Sequence, residues 1–226
     1  MRRCKPIRYP RRRPTRAVLL RMYRALYAYY GDRKWWPADT PFEVMIGAIL
    51  TQNTAWKNVE KAIGSLKAAG RLSLRRLLSY KPEVLAFLIK PAGYFNVKMR
   101  RLRNLLFCFQ DRYNGKIFRM KKSPMDKVRN ELLGVNGIGN ETADSIILYA
   151  LERPAFVVDT YTRRVFSRHR YLRGDEDYET IRQVFLKLLP RSTKLYNDYH
   201  AQIVEVGKEF CRTIPRCINC PLRKFL

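Results

Sequence analysis

Residues 123–150 set two helical segments on either side of the run Leu132-Leu133-Gly134-Val135-Asn136-Gly137-Ile138-Gly139. Ser123 reads as an N-cap, with Pro124 at the first helical position and Asp126 at the third, so a helix starts there. A second helix runs from Asn140, with Ala143, Ile146, Ile147 and Ala150 on one apolar face. Three glycines within six residues let the turn reach positive φ and let its backbone approach another molecule closely. Val135 and Ile138 are expected to anchor the turn in the core. The N–H groups of Gly137, Gly139 and the second helix's first turn then face outward as an anion site. An ordinary αα-hairpin has the same outline, so the turn alone leaves its role open.

The rest of the chain keeps the helical period. Leu19, Met22, Leu26 and Tyr29 mark one face of a helix that stops at Gly31. Thr40-Pro41-Phe42-Glu43 is a capping box with proline at the first helical position, opening a helix through Phe42–Gln52. Trp56, Val59, Ile63 and Leu66 continue at helical spacing, and Gly70 closes that element. Further helices read at about 82–89, 97–112, 124–134, 141–151, 160–168, 178–189 and 195–210. Alternating apolar–polar runs are nearly absent. The one β-like stretch, Ala155–Val158, is too short to found a sheet and is expected as a buried connector. No period of about 20–50 residues repeats, which excludes a solenoid. The fold class is all-α.

Forty-six Lys and Arg against 19 Asp and Glu leave a net charge of +27. A folded chain with that balance needs a polyanionic partner. Nucleic acid is the commonest, because each phosphate neutralised releases a condensed counterion. A ribosome-bound or membrane-surface protein would share the balance. The content of 46% hydrophobic and 12% aromatic residues excludes a disordered basic tail, and 226 residues allow one or two domains. No apolar run reaches the length of a membrane span, and no secretory h-region follows the basic N-terminus. Residues 1–16 carry eight Lys or Arg, three prolines and no acid, which reads equally as an extended arm or a solvated tail. Five cysteines, three of them bunched near the C-terminus, do not make a disulfide framework. A cytoplasmic, nucleoid-associated protein is expected.

The segment Ser123–Ala150 resembles the helix-hairpin-helix element of the endonuclease III superfamily of DNA glycosylases. Other segments follow in that superfamily's order. Leu50-Thr51-Gln52-Asn53-Thr54 resembles its LSQ-x-T segment, and Gly93-Tyr94-Phe95-Asn96-Val97-Lys98 its G-x-x-N-x-K segment. Val157-Val158-Asp159-Thr160 matches its VDT signature, and Cys211–Cys220 falls where it places an iron–sulfur loop. The resemblance covers most of the chain and implies a two-lobed all-α fold. Residues 40–153 would form a helical barrel ending in the hairpin, at about 124–151. Residues 1–39 and 154–226 would form the second lobe, with DNA and Asp159 in the cleft. It also implies that Gly134, Gly137, Gly139, Gln52 and Lys98 bind DNA, with a monovalent cation at the hairpin. Such contacts position the duplex without reading its sequence.

The resemblance assigns Asp159 the chemistry. Cleavage of an N-glycosidic bond passes through an oxocarbenium-like sugar, so it needs a nearby carboxylate. Asp159 is also placed to cap the helix over 160–168, which would fix its position. Bifunctional members use a lysine at the start of the second hairpin helix to form a Schiff base. Here Glu141 stands at that position, and no lysine lies between Lys127 and Lys187. Glu141 is either a first-turn acid favoured by the helix dipole or an active-site group. Trp35-Trp36-Pro37 and the run from Gly137 to Asp144 are similar to the endonuclease-III-like 3-methyladenine DNA glycosylases, which are monofunctional. Trp35, Trp36 and Phe42 are candidates for a pocket stacking on a flipped, cationic alkylated purine. The implied function is a monofunctional DNA N-glycosylase of base-excision repair, a monomer acting on double-stranded DNA that contains a damaged base. Alternatives are a glycosylase for oxidised pyrimidines or mismatches, or a catalytically silent DNA-binding module.

Cys211, Cys217 and Cys220 are spaced C-x5-C-x2-C, close to the family's C-x6-C-x2-C-x5-C loop for a [4Fe–4S] cluster. The family's fourth position falls on Leu226, which leaves Cys4 as the remote candidate and Cys108 in the barrel. Zinc is the poorer fit, because a structural site wants four ligands and His200 is the nearest histidine.

Overall fold

The computed structural model describes residues 11–33, 35–70 and 72–226. Arg2, Arg3, Cys4, Lys5 and Arg8 of the basic arm lie outside the described residues. Among those described, the α-helices are α1 (Arg16–Tyr30), α2 (Pro41–Leu50), α3 (Trp56–Ala68), α4 (Leu74–Ser79), α5 (Pro82–Leu88) and α6 (Phe95–Tyr113). They continue with α7 (Ile117–Lys122), α8 (Met125–Leu133), α9 (Asn140–Ser145), α10 (Thr160–Arg168), α11 (Tyr178–Leu188) and α12 (Thr193–Glu209). None is long and apolar enough to cross a membrane. Among the described residues no strand forms, and the connector Ala155–Val158 is buried throughout. The chain divides into two compact units, one of Trp36–Val157 and one of residues up to Trp35 with Val158–Leu226.

The unit Trp36–Val157 is built around α2. Its sequence is apolar on every side, so the helix is buried from Glu43 to Leu50 and packs against α3, α6 and α9. Thr40 caps it, accepting from the Glu43 amide at 3.1 Å. The Glu43 carboxylate accepts from the Asp39 amide rather than the cap's own, and pairs with Lys67 at 2.8 Å. From Thr142 onward the helix that follows Gly139 is likewise buried on all sides rather than on one face, and after Ser145 it widens into a π-helical turn over Ile146–Ala150.

The other unit is built on α12, which packs against α1 and α10. Tyr199 donates its hydroxyl to the Leu19 carbonyl at 2.8 Å, and Gln202 donates to the Gly31 carbonyl at 2.7 Å. Arg12, in the segment that reads equally as an extended arm or a solvated tail, donates to the carbonyls of Phe225 and Leu226 at 2.5 and 2.6 Å. At Gly207 the helices α10 and α12 come so close that a side chain would strike Tyr161, whose Cβ and Cγ lie 2.9 Å from the Cβ position.

Several boundaries differ from the sequence reading. Ser123 closes α7 through its amide bonds to Arg119 and Met120, so Pro124 becomes the cap and α8 begins at Met125. The six-residue helices α4 and α7 are too short to show a periodic stripe. Tyr29, expected on one face with Leu19, Met22 and Leu26, is 52% exposed, whereas Val18 is buried with those three.

Replacing a helical glycine by alanine ordinarily stabilises by about 1 kcal/mol. Gly207→Ala should do the reverse, with a net loss of roughly 1–2 kcal/mol, because Tyr161 Cβ is fixed by its own backbone. Chemical denaturation measures this, and a variant as stable as the parent would show that the helices part freely.

Candidate nucleic-acid interface and catalytic residues

The hairpin turn in the unit Trp36–Val157 is held from inside by a hydrogen-bonded brace. Gln52, just past the end of α2, donates from Nε2 to the Gly137 carbonyl at 3.1 Å and to Thr142 Oγ1 at 2.9 Å. Its Oε1 accepts from Arg101 of α6 at 2.6 Å. Asn104, one turn further along α6, donates to the Asn136 carbonyl at 3.1 Å. Arg129 of α8 forks onto Asp144 of α9 at 2.9 and 3.2 Å and reaches Asn140 Oδ1 at 3.2 Å. Val135 and Ile138 are buried beneath the turn. Loop and helices are therefore fixed by side chains that surround them, not by the loop's own backbone alone.

The three glycines do different things. Gly134 has an ordinary right-handed conformation at φ −71°, so it does not need glycine's freedom. Gly137 does: its φ is +95°, and the Arg101 side chain fills the place a Cβ would occupy. The closeness at Gly137 is thus internal, not reserved for an outside molecule. Gly139 is exposed in extended backbone, and nothing lies within 4 Å of its Cβ position. It stands at the N-terminus of α9, where amide N–H groups are available to an anion. Glu141 is exposed in that helix's first turn.

Lys98, expected to contact DNA, is a correction. It is 1% exposed, and its Nζ donates to the carbonyls of Leu50 and Ala92, each at 2.8 Å. These carbonyls sit at the ends of α2 and of the short 3-10 turn Lys90–Ala92, where helical backbone lacks internal partners. Burial, with Arg101 nearby, brings its pKa down to about 8. Lys98 therefore joins two helix ends in the core.

The expected pocket rings fall into separate settings. Trp36 adopts φ +69° and lies against Tyr149 at 4.8 Å and Trp56 at 5.4 Å between ring centroids. Its indole also rests on Gly47, 3.4 Å from the Cβ position there. Phe42 stacks instead on Phe109, at 6.0 Å. Trp35 belongs to the other unit, with its ring edge-on to His200 at 6.5 Å and Lys208 Nζ 5.2 Å from its centre. Trp56 was not singled out from the sequence, where its place in a helical stripe hid it.

In the unit containing Val158–Leu226, Asp159 caps α10. Its Oδ1 accepts from the Thr162 amide at 2.7 Å, and its Oδ2 lies 3.7 Å from Nε2 of His200 on α12. The residue is 8% exposed. Burial pushes its carboxyl up, but His200 and the Thr162 bonds outweigh it and hold the carboxyl below the ordinary value. His200 was considered only as a zinc ligand. Tyr196, Tyr199, His200 and Ile203 share one buried stripe at i, i+3, i+4 and i+7, and a titratable ring inside that stripe is the signal that marks it.

Cys211, Cys217 and Cys220 line one cavity beside Arg168 and His169. Burial raises the Cys220 thiol, and Cys217 and Cys211 add to it. Arg164 donates to the carbonyls of Cys211 and Gly207, and Arg168 to those of Arg212 and Thr213 and to Cys211 Sγ at 3.4 Å. Among the described residues, no three His, Cys, Asp or Glu groups are arranged to hold a metal ion. Thiolate donors suit an iron–sulfur cluster, and these supply three of the four that such a cluster takes.

Comparison with known proteins places this geometry. Over 210 residues the chain is 46% identical to a Methanocaldococcus jannaschii protein named "Putative DNA repair glycosylase MJ1434", covering 92% of this chain and 95% of that one. It is 30% identical over 184 residues to endonuclease III of Thermotoga maritima, covering 81% of each. The solved H. pylori 3-methyladenine DNA glycosylase MagIII, bound to 1,N6-ethenoadenine, superposes with a TM-score of 0.75 at 27% identity, over 87% of this chain and 98% of that one. Residues 46–191, from within α2 to the approach of α12, match the family described as HhH-GPD superfamily base excision DNA repair protein. That match spans more than half the chain, and the chain belongs to this superfamily of base excision DNA repair glycosylases.

Proposed function

We propose that this chain is a monofunctional DNA N-glycosylase that removes alkylated purines from double-stranded DNA in the cytoplasm. The observation that carries the reading is a buried carboxylate, Asp159, held ionised at a helix N-terminus, in a chain with Glu141 where a Schiff-base lysine would stand. The similarity to MagIII, a glycosylase for 3-methyladenine, supports the substrate class. The hairpin would hold a phosphate on the amides at Gly139 and the start of α9, with Gln52, Arg101 and Arg129 keeping the turn in shape. Trp36, set against Trp56 and Tyr149, would offer an aromatic face to the extruded base.

The chemistry follows from charge. An alkylated purine is cationic, so it leaves as a neutral base when the C1′–N bond breaks and both electrons go to nitrogen. Asp159 stabilises the positive charge that develops on the sugar. Water then adds its oxygen to C1′ and gives up one proton, leaving an intact abasic site. No amine attacks C1′, so no covalent intermediate and no strand cleavage follow.

Asp159→Asn should abolish base release from an alkylated duplex while changing duplex affinity less than about twofold, under 0.5 kcal/mol. Borohydride should trap no complex with the parent protein; efficient trapping means that another amine does the work.

Affinity for undamaged DNA should fall with salt at roughly −0.9 in log K per log salt for each neutralised phosphate. Gly139→Val fits extended backbone and open space, so it should fold normally and still weaken binding to all sequences alike, by about tenfold or 1.4 kcal/mol. Salt-independent affinity, or no change in the variant, removes the hairpin from the interface.

The same reading places a [4Fe–4S] cluster on Cys211, Cys217 and Cys220, where it would brace the loop that follows α12. Anaerobically purified protein should be brown and hold about four irons per chain. Colourless, iron-free protein with full base-release activity counts against the cluster.

A further inference from the structure

Asp159 has two oxygens in two different situations. Oδ1 takes the Thr162 amide, a bond that any aspartate capping a helix makes. Oδ2 instead faces the imidazole of His200, 3.7 Å from Nε2. That histidine comes from another helix, so its place depends on how α12 lies against α10. The two helices are locked together by the contact between Gly207 and Tyr161 and by Arg164 bonding the Gly207 carbonyl at 3.1 Å. The imidazole is itself confined: it is 6% exposed, and the Trp35 ring stands edge-on to it.

We propose that His200 is a positioning residue for Asp159, holding its carboxylate ionised and fixing the direction of Oδ2 without touching the substrate. This rests on the reading of Asp159 as the catalytic carboxylate. The physical need is plain. A carboxyl this deeply buried is driven toward its neutral form, and a helix cap alone offsets only part of that. A neutral acid could not stabilise the cationic sugar. An imidazole facing the second oxygen supplies an opposing charge when it carries a proton, in a confined setting where water screens little.

The charged groups on the surrounding elements are engaged elsewhere. On α10, Arg163 donates to the Glu176 carbonyl and Arg164 to those of Gly207 and Cys211. On α12, Asp198 accepts from Tyr23 of α1 and from Gln202, and Glu205 pairs with Arg33 and Lys208. Lys208 also lies over the Trp35 ring. His200 is the α12 side chain that faces Asp159 Oδ2.

The test is the pH profile of single-turnover base release from an alkylated duplex, with uncatalysed loss subtracted. Activity needs ionised Asp159, so its acid limb follows that carboxyl and lies below the ordinary carboxylate range in the parent. His200→Phe keeps the ring volume and removes the charge. Burial then acts unopposed, and the limb should move to higher pH by about one unit, a roughly tenfold loss on the acid side with a much smaller loss at alkaline pH. His200→Gln keeps a donor and should move it less. A loss equal at every pH, or an unmoved limb in either folded variant, overturns the proposal. In protein labelled with 13C-aspartate, the Asp159 carboxyl should titrate below the ordinary carboxylate range in the parent and at higher pH in His200→Phe. A carboxyl that titrates alike in both proteins also overturns it. Asp159→Asn separates the two levels. If that variant still releases base, the catalytic reading of Asp159 fails; if it is inactive while the His200 limb stays put, only the present proposal fails.

Discussion

The seat of α10 on α12 at Gly207 governs one unit of this protein. With no side chain between them, the helices approach until Tyr161 covers the glycine. Everything that α10 carries inherits this position. At its first turn that is Asp159, whose carboxylate meets His200 across the contact. In its middle and last turn, Arg164 and Arg168 reach the carbonyls of the loop after α12. A change at the middle of the interface is therefore transmitted to both ends of a nine-residue helix, because packed helices shift as bodies rather than bending locally.

The large positive charge is not all surface. Lys98 ties two helix ends together from the core, and Arg12 holds the carbonyls of Phe225 and Leu226. Helix termini and irregular loops leave carbonyls without backbone partners. Arginine and lysine satisfy them with several donors at once. In a chain built from short helices, such carbonyls are many. Part of the net charge of +27 thus answers an internal need of an all-helical fold, and only the remainder is available to a polyanion.

The helices were legible in the sequence wherever an apolar stripe ran for two turns or more, and the hairpin was legible from its anchors and glycines. What escaped were features set by neighbours distant in the chain. Ser123 looks like a helix start, yet α7 ends on it, since a six-residue helix leaves no periodic trace before it. Lys98 looks like a surface cation at the head of a basic helix, and only its place opposite the ends of α2 and the 3-10 turn makes it a core residue. Gly137 was recognised as a glycine that the turn requires, but the reason, the Arg101 side chain in its Cβ position, belongs to a helix some thirty residues earlier. Asp159 was found by its motif. Its partner was not, because one histidine in a stripe of tyrosines carries no motif at all.

The unit that holds Asp159 is also discontinuous along the chain, and this has a consequence for synthesis. The hydroxyl of Tyr199 closes on Leu19 across 180 positions, and Arg12 closes on Phe225 across 213. The apolar stripe of α1, Val18, Leu19, Met22 and Leu26, packs against α12, which is made much later in the chain. Meanwhile Trp36–Val157 contains a continuous stretch with its own core and can fold in the interval. Contacts of such long sequence separation form last and slowly. Asp159 on α10 therefore meets His200 only once α12, late in the chain, has packed against α10.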